Sequence, residues 1–300
     1  MKIFVTGGTG FVGTRLTQRL LSHGHDVTIV SSRGKSTSDP SGSLHSVKAD
    51  TTKEGDWQKQ LGEFDVIVNL TGRTIFNYWS DSYKKKIYSS RVDTTRNIVK
   101  ALPEQTDTIL LNASAAGYYG DSGDTEKDEN SPAGDDFLAQ VCKDWEKEAF
   151  EAEKKGARVA TMRFGVVLGK GGGAIETMKT PFKLGLGGPI GDGKQWFPWI
   201  HLEDLVSAII FLMSGDILQG PFNFTAPNQV RQKEFAQKLA KSLNRPAFMP
   251  APSFIMKTVL GDFGKSLLLG QRVAPRALQE NGFVFQYPQL EDALEEILHG

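Results

Sequence analysis

The chain of 300 residues contains 35 basic and 35 acidic residues, so its formal net charge is zero at pH 7. This balance argues against a protein that binds nucleic acid or an anionic membrane through bulk charge. A single cysteine, Cys142, excludes an internal disulfide and fits a reducing compartment. No signal-peptide pattern opens the sequence, and no apolar run nears the roughly 20 residues that cross a bilayer. We therefore expect a cytoplasmic protein with no membrane and no nucleic-acid partner.

Short apolar segments alternate with helical patterns in the first half of the chain. The sequence predicts strands at residues 2–6, 26–30, 46–49, 64–70, 108–113 and 158–163, and helices at residues 11–22, 81–102 and 135–155. Each strand is an almost continuous apolar run, so the sheet should be parallel and covered by helices on both faces.

The second half of the chain has a different residue pattern. Residues 165–193 carry much of the glycine excess, which favours functional loops over a regular layer. Further strand and helix segments are predicted at residues 196–200, 203–213, 222–225, 232–242, 253–260, 274–280 and 290–298. The last four of these are helical, which predicts a smaller lobe rather than an independent domain.

Three glycines follow the first predicted strand and open the first helix. Gly7 permits a tight turn, Gly10 lets the backbone approach a pyrophosphate, and Gly13 lets the helix pack close to the sheet. The helix N-terminus adds free N–H groups and the positive end of the helix dipole. In this strand-turn-helix context the glycines predict a dinucleotide site rather than an ordinary turn, with further contacts from the same loop: Thr9, Phe11 and Val12.

These patterns together predict an α/β fold, a doubly wound parallel Rossmann sheet with a smaller, mainly helical C-terminal substrate lobe. Residues 1–165 would form the dinucleotide-binding domain. Residues 166–300 would form the substrate lobe and helical tail, interleaved with that domain and not folding independently.

The end of the second strand predicts the type of dinucleotide. Sites for NAD commonly place an acidic residue there, to bind the ribose 2′-hydroxyl, but this strand ends without a carboxylate. Arg33 can pair with a 2′-phosphate and Ser32 can hydrogen-bond to it, which favours NADP. Arg33 could instead be a solvated loop residue. Asp50, after the third strand, would lie near the adenine amino group or would cap a turn.

The fourth strand ends in Leu70, Thr71 and Gly72, where a doubly wound sheet binds its ligand. We expect these residues to line the central ribose and the nicotinamide side of the cofactor. In the next helix, Arg91 lies four residues after Ile87 on the inward-facing stripe. It could contact a cofactor phosphate or the substrate, or it could extend past the core to solvent.

Taken together, these residues resemble the extended, sugar-nucleotide-epimerase-like branch of the short-chain dehydrogenase/reductase superfamily. The resemblance also involves residues 112–120, 129–132, 163–169, 191–195 and 200–204. Residues 182–189 and 270–273 are similar to an atypical group, the epimerase family proteins, some of which carry a cell-division-inhibitor-like label. The resemblance implies an NADP-binding protein without an assigned substrate, and it places Val167 beside the nicotinamide.

One departure from the superfamily concerns its catalytic pair, a Tyr and a Lys four residues later. If Lys143 fills the lysine position, Ala139 stands where the tyrosine should be, and an alanine cannot exchange a proton. Ser114 and Tyr118 are the remaining candidate catalytic residues, and Tyr119 could also substitute. Their alternatives are a hydrogen-bonded hydroxyl at the strand end and packing aromatic side chains.

Two functions therefore remain open. The first is an NADP(H)-dependent reductase or epimerase that acts on a small hydroxyl- or carbonyl-bearing substrate. The second is a non-catalytic NADP(H)-binding sensor or regulatory protein. No spacing of His, Cys or Asp predicts a metal site, and the sequence does not predict the oligomeric state.

Phe197 helps to predict which kind of substrate the protein binds. It stands where sugar-nucleotide members of the branch carry a diphosphate-binding arginine, which predicts a cleft for a flat or partly apolar ligand with little negative charge. Alternatively, this aromatic segment only packs the lobe against the sheet. The charge could also come from another direction: Lys194, Arg272 or Arg276.

Overall fold

The strands of the protein were located in a computed structural model, which describes residues 1–32, 42–185, 187–215, 218–247 and 251–300. In chain order they are β1 (Lys2–Thr6), β2 (Asp26–Ser31), β3 (Leu44–Lys48), β4 (Val66–Asn69), β5 (Ile109–Ala115), β6 (Glu126–Lys127), β7 (Arg158–Phe164), β8 (Val166–Leu168), β9 (Trp196–Phe197), β10 (Trp199–His201), β11 (Gly220–Phe224), β12 (Val230–Arg231) and β13 (Arg272–Val273).

Seven of these strands form one parallel sheet in the order β11-β7-β5-β4-β1-β2-β3. β1 pairs with β2 on one side and with β4 on the other, so Thr6 lies between Val30 and Asn69. The chain reverses its direction of travel across the sheet at β1. In doubly wound sheets such a reversal opens a ligand-binding crevice at the carboxyl ends of the strands.

The helices are α1 (Phe11–Ser22), α2 (Asp81–Ala101), α3 (Phe137–Phe150), α4 (Gly173–Lys183), α5 (Leu202–Ser214), α6 (Gln232–Ser242), α7 (Ser253–Ser266), α8 (Arg276–Glu280) and α9 (Leu290–His299). Short 3₁₀ turns lie at Asp56–Gln58, Leu61–Glu63, Ala116–Tyr119 and Glu151–Lys155. No helix in the described ranges is long and apolar enough to span a membrane.

Both faces of the central strands are buried, which explains why these strands read as continuous apolar runs. The edge strand β3 is largely exposed. Ile3 and Val5 on β1 pack in one cluster with residues of α1 and α5, whereas Phe4 packs on the opposite face with residues of α2 and α3. A third apolar cluster joins α6 and α9 in the C-terminal part. The expected α/β Rossmann-type fold with a helical C-terminal part is confirmed.

The sheet takes its last strand, β11, from beyond residue 165, beside β7. A division of the chain at that residue stays a prediction. The expectation of loops throughout residues 165–193 is wrong, because β8 and α4 lie within this range. The inner face of α4 consists of three buried side chains, Ala174, Ile175 and Phe182. Glycines lie on either side of this helix.

Candidate functional site

The glycine loop between β1 and α1 is tightly packed against the protein on one side and open on the other. Gly7 has a φ of +70°, and a Cβ there would lie 2.9 Å from the Leu70 carbonyl group. A Cβ at Gly13 would lie 2.3 Å from the Gly7 oxygen. Gly10 is exposed and caps α1, and a Cβ there would meet only the Gly7 oxygen, at 3.1 Å. The loop therefore presents open backbone at Gly10 directly before the helix N-terminus.

Phe11, the first residue of α1, is held by a second group of glycines. Cβ atoms added at Gly169, Gly172 and Gly173 would lie 3.0, 2.4 and 2.7 Å from the Phe11 ring. Part of the glycine excess in residues 165–193 therefore makes room for this ring. Thr9, Val12 and Val167 are half-buried around the same junction.

Three residues are expected near the adenosine end of the cofactor. Ser32 is exposed at the end of β2, and Arg33 lies outside the described residues. The Asp50 carboxylate accepts hydrogen bonds from the Thr52 backbone (3.2 Å) and hydroxyl (2.7 Å). These hydrogen bonds match the alternative in which Asp50 caps a turn. A contact between Asp50 and adenine stays a prediction.

A buried polar network fixes the end of β4. The Asn69 side chain accepts from the Thr6 hydroxyl at 2.6 Å and donates to Thr95 at 2.8 Å and to Asn112 at 2.7 Å. The Thr71 backbone N–H donates to the same Asn69 oxygen at 3.3 Å. The network joins β1, β4, β5 and α2, so the half-buried Leu70 and Thr71 and the exposed Gly72 lie at a fixed edge of the crevice.

The half-buried Arg91 side chain extends from α2 to this edge. Its Nη1 donates to the carbonyl oxygens of Ile87 and Arg73, both at 3.1 Å. Its guanidinium lies 5.3 Å from the centre of the Trp145 ring and would lie 3.1 Å from a Cβ at Gly72. Burial lowers the pKa of the guanidinium from its ordinary value.

Ser114 belongs to a buried ionic network rather than to an open surface. Its hydroxyl donates to Glu146 Oε1 at 2.6 Å, and Glu146 also accepts two hydrogen bonds from Arg163, at 2.9 and 2.8 Å. Arg163 donates to the Tyr119 hydroxyl at 2.8 Å, which in turn donates to Asn223 at 2.7 Å. Ser114 is only 2% exposed, so this geometry matches the alternative of a hydrogen-bonded strand hydroxyl.

The two neighbouring tyrosines differ in their environments. Burial, which outweighs the opposing effect of Arg163, raises the pKa of Tyr119 to about 12. Tyr118 is half-buried, and its ring lies over the Arg163 guanidinium at 3.6 Å and against Tyr119 at 5.3 Å. Its hydroxyl makes no hydrogen bond with any residue that the structure describes. Stacking therefore positions the Tyr118 ring, and no residue in the described ranges occupies its phenol.

Comparison with known proteins identifies the family. Residues 3–223 match the model of the NAD dependent epimerase/dehydratase family, and residues 251–297 match a domain of unknown function, DUF1731. The chain belongs to this epimerase family. The resemblance to the atypical epimerase family proteins is thus confirmed.

Relatives of this epimerase-family chain match it from end to end. The chloroplastic SDR39U1 homologue of Arabidopsis thaliana is 41% identical, covering 99% of this chain and 87% of its own. The crystal structure of human SDR39U1 (isoform 2) with NADPH has a TM-score of 0.86 at 36% identity and covers both chains fully. The nucleoside-diphosphate sugar epimerase from Corynebacterium glutamicum has a TM-score of 0.79 at 31% identity, covering 99% of this chain and 58% of that one.

Helix α3 of this family member carries the residues at the expected positions of the catalytic pair. Lys143 is exposed, whereas the buried Cys142 lies with its Sγ 3.8 Å from the Ala115 oxygen. Four residues before Cys142, Leu138 packs on Gly117. Ala139 is fully buried, whereas Lys143, four residues later, is exposed. The assignment of Ala139 and Lys143 to the Tyr and Lys positions stays a prediction.

Cys142 supplies no nucleophile in place of the missing pair. Burial raises the pKa of its thiol to about 12, so the thiolate is scarce near neutral pH. No group of three or more His, Cys, Asp or Glu side chains in the described ranges could hold a metal ion.

Phe197 packs within the C-terminal part of this family member. Its ring lies 4.3 Å from that of Phe235 on α6, a packing contact inside the C-terminal part and not the alternative contact between the lobe and the sheet. Trp196 beside it lies under two guanidinium groups, Arg231 at 4.3 Å and Arg272 at 4.9 Å. Arg272, one of the residues that the sequence offers as an alternative source of charge, therefore lies beside this aromatic segment.

Proposed function

We propose that this protein binds NADP(H) in the crevice at the carboxyl ends of β1, β2 and β4. The observation that carries the proposal is the glycine loop, with open backbone at Gly10 and a helix N-terminus behind it. The human relative crystallised with NADPH supports the same cofactor. The residues proposed to hold it are Gly7, Thr9, Gly10, Phe11, Val12, Ser32, Arg33, Asp50, Leu70, Thr71, Gly72, Arg91 and Val167.

The absence of a carboxylate in Ser31-Ser32-Arg33 favours NADP over NAD. Arg33 would pair with the 2′-phosphate and Ser32 would hydrogen-bond to it. We also infer a cytoplasmic location, which the single, buried cysteine favours.

The reaction we propose is an epimerase-like oxidation or reduction of a small substrate that bears a hydroxyl or carbonyl group. When bound, the cofactor supplies or accepts the hydride. Tyr118 is the proposed proton donor, because its phenol has no hydrogen-bond partner among the described residues and its ring is held on Arg163. We assign no proton transfer to Ser114, since its hydroxyl donates to Glu146.

A second function is favoured by one specific observation, the lack of any tyrosine in α3. The residue four before Lys143 is Ala139, which cannot serve as a proton-exchanging group. A protein that binds NADP(H) without turning it over, as a sensor or regulatory partner, would need no such group.

Turnover separates the two functions. The purified protein is incubated with NADPH and a broad panel of small aldehydes and ketones, and loss of the reduced-nicotinamide absorbance is followed. Oxidation that Tyr118→Phe abolishes while NADPH affinity is kept would support the enzyme. The matched control is Tyr88→Phe, which removes a phenol from α2. Tight NADPH binding without oxidation of any panel member would favour the sensor.

A further inference from the structure

Two arginines reach the carboxyl ends of the central strands, and only one of them meets a carboxylate. Arg163 is 3% exposed and forms a two-point ion pair with Glu146, with an Nη2–Oε2 distance of 2.8 Å. Arg91 has no acidic side chain within 4.0 Å among the residues that the structure describes. Among the described residues, its hydrogen-bond partners are two backbone carbonyl oxygens, both of which accept from Nη1, and its guanidinium lies over the Trp145 ring.

The other nitrogens of Arg91 are available to a ligand. Within the described ranges, neither Nε nor Nη2 makes a hydrogen bond. Nη2 would lie 3.1 Å from a Cβ at Gly72, so it lies beside the exposed turn that ends β4. A side chain at Gly72 would cover the guanidinium, and glycine leaves it uncovered.

A guanidinium in this position lowers the stability of the protein unless an anion pairs with it. Removing a charge from water costs several kcal/mol, and protein interiors recover this by pairing the charge. The lowered pKa of Arg91 reflects that burial. The planar fork of arginine fits the two oxygens of a carboxylate or phosphate. Helix α3 offers no alternative cation, because Cys142 lies on the sheet side and Lys143 faces solvent.

We propose that Arg91 binds an anionic oxygen group of a ligand at the end of β4, through Nη2 and Nε. This inference rests on the proposed function, because it places the anion in the same crevice as the dinucleotide. Either of two ligands would supply this anion. One is the bound cofactor, through a phosphate group, and the other is the substrate, through a carboxylate.

The test compares Arg91→Met and Arg91→Lys with the wild type. Arg91→Met removes the charge and keeps an unbranched chain, while Arg91→Lys keeps the charge and loses the fork. Arg96→Met is the control on the same helix, since Arg96 is paired on the surface with Asp93 and Glu148. Two quantities are measured for each: the melting temperature without ligand, and the affinities for NADPH, inorganic phosphate and benzoate, the last two with and without NADPH.

The inference predicts that Arg91→Met melts no lower than the wild type without ligand, because an unpaired desolvated charge has been removed. At the same time it should lose about tenfold or more in affinity for one anion, the loss expected for a charge-assisted hydrogen bond. A loss for NADPH and phosphate identifies the cofactor as the source, and a loss for benzoate alone identifies the substrate. The affinity of Arg91→Lys for that anion should lie between those of the wild type and Arg91→Met. Arg96→Met should lose no affinity.

The inference is overturned if both Arg91 variants keep the wild-type affinity for NADPH, phosphate and benzoate, whatever their melting temperatures. It is also overturned if Arg91→Met melts well below the wild type and Arg91→Lys binds all three as the wild type does, because the arginine is then structural. A wild-type protein that binds phosphate or benzoate but not NADPH would instead refute the proposed cofactor.

Discussion

Replacing Gly10 with valine should separate cofactor binding from folding. Gly10 has φ −80° and ψ 176°, an extended conformation that any residue adopts. The new Cβ would have one neighbour within 4 Å, the Gly7 oxygen at 3.1 Å. Loss of a glycine N-cap costs about 1 kcal/mol or less, which lowers the melting temperature by about 2 °C or less in a protein of 300 residues.

The effect on binding should be far larger. The two methyl groups would fill the space above Gly10, where the pyrophosphate is proposed to approach the backbone N–H groups of the loop. Loss of two charge-assisted hydrogen bonds, each contributing about 1.5–3 kcal/mol, raises the dissociation constant at least about a hundredfold.

The assay combines thermal unfolding without cofactor and titration of NADPH fluorescence. Gly13→Ala is the matched control, because its Cβ would lie 2.3 Å from the Gly7 oxygen and 2.7 Å from the Gly8 Cα. That variant should lose stability as well as binding, since the loop itself must deform. A Gly10→Val protein that binds NADPH as the wild type does would refute the reasoning and place the pyrophosphate elsewhere.

Three further predictions concern charge. Arg33→Ala should weaken NADPH binding by about 1–3 kcal/mol and leave NADH binding unchanged in parallel titrations; equal affinities of the wild type for the two cofactors would contradict it. Glu146→Gln leaves Arg163 without its buried carboxylate and should cost about 3–5 kcal/mol in urea unfolding, and a variant as stable as the wild type would show that the pair is dispensable. Burial lowers the pKa of His201, so the unfolded state takes up the proton first and stability should fall as the pH falls below about 6.5. His201→Gln should reduce this slope between about pH 7 and 5.5, and identical slopes would show that His201 does not titrate differently on folding.

The fold was largely predictable because its central strands are buried on both faces. Continuous apolar runs identified the main parallel strands, and α6 was predicted at Gln232–Ser242 as the structure has it. Helix α4 was missed because glycines flank it, and their role depends on a distant ring: Gly172 and Gly173 give space to Phe11. No local pattern reveals such a contact.

The site was less predictable, because small shifts in register turn side chains away from it. β5 extends to Ala115, two residues further than predicted, and this puts Ser114 inside the strand and against Glu146. In α3 one residue is a rotation of about 100°, which separates the buried Cys142 from the exposed Lys143. The Glu146–Arg163 pair joins two elements and has no sequence signature.

Difference electron density from a crystal of the protein grown with NADPH tests the central claim most directly. We expect the pyrophosphate against the backbone of Gly10 and Phe11, the 2′-phosphate beside Arg33, and the nicotinamide at the ends of β4 and β5. Density for the dinucleotide away from the glycine loop, with the crevice at Gly10 empty, would contradict it.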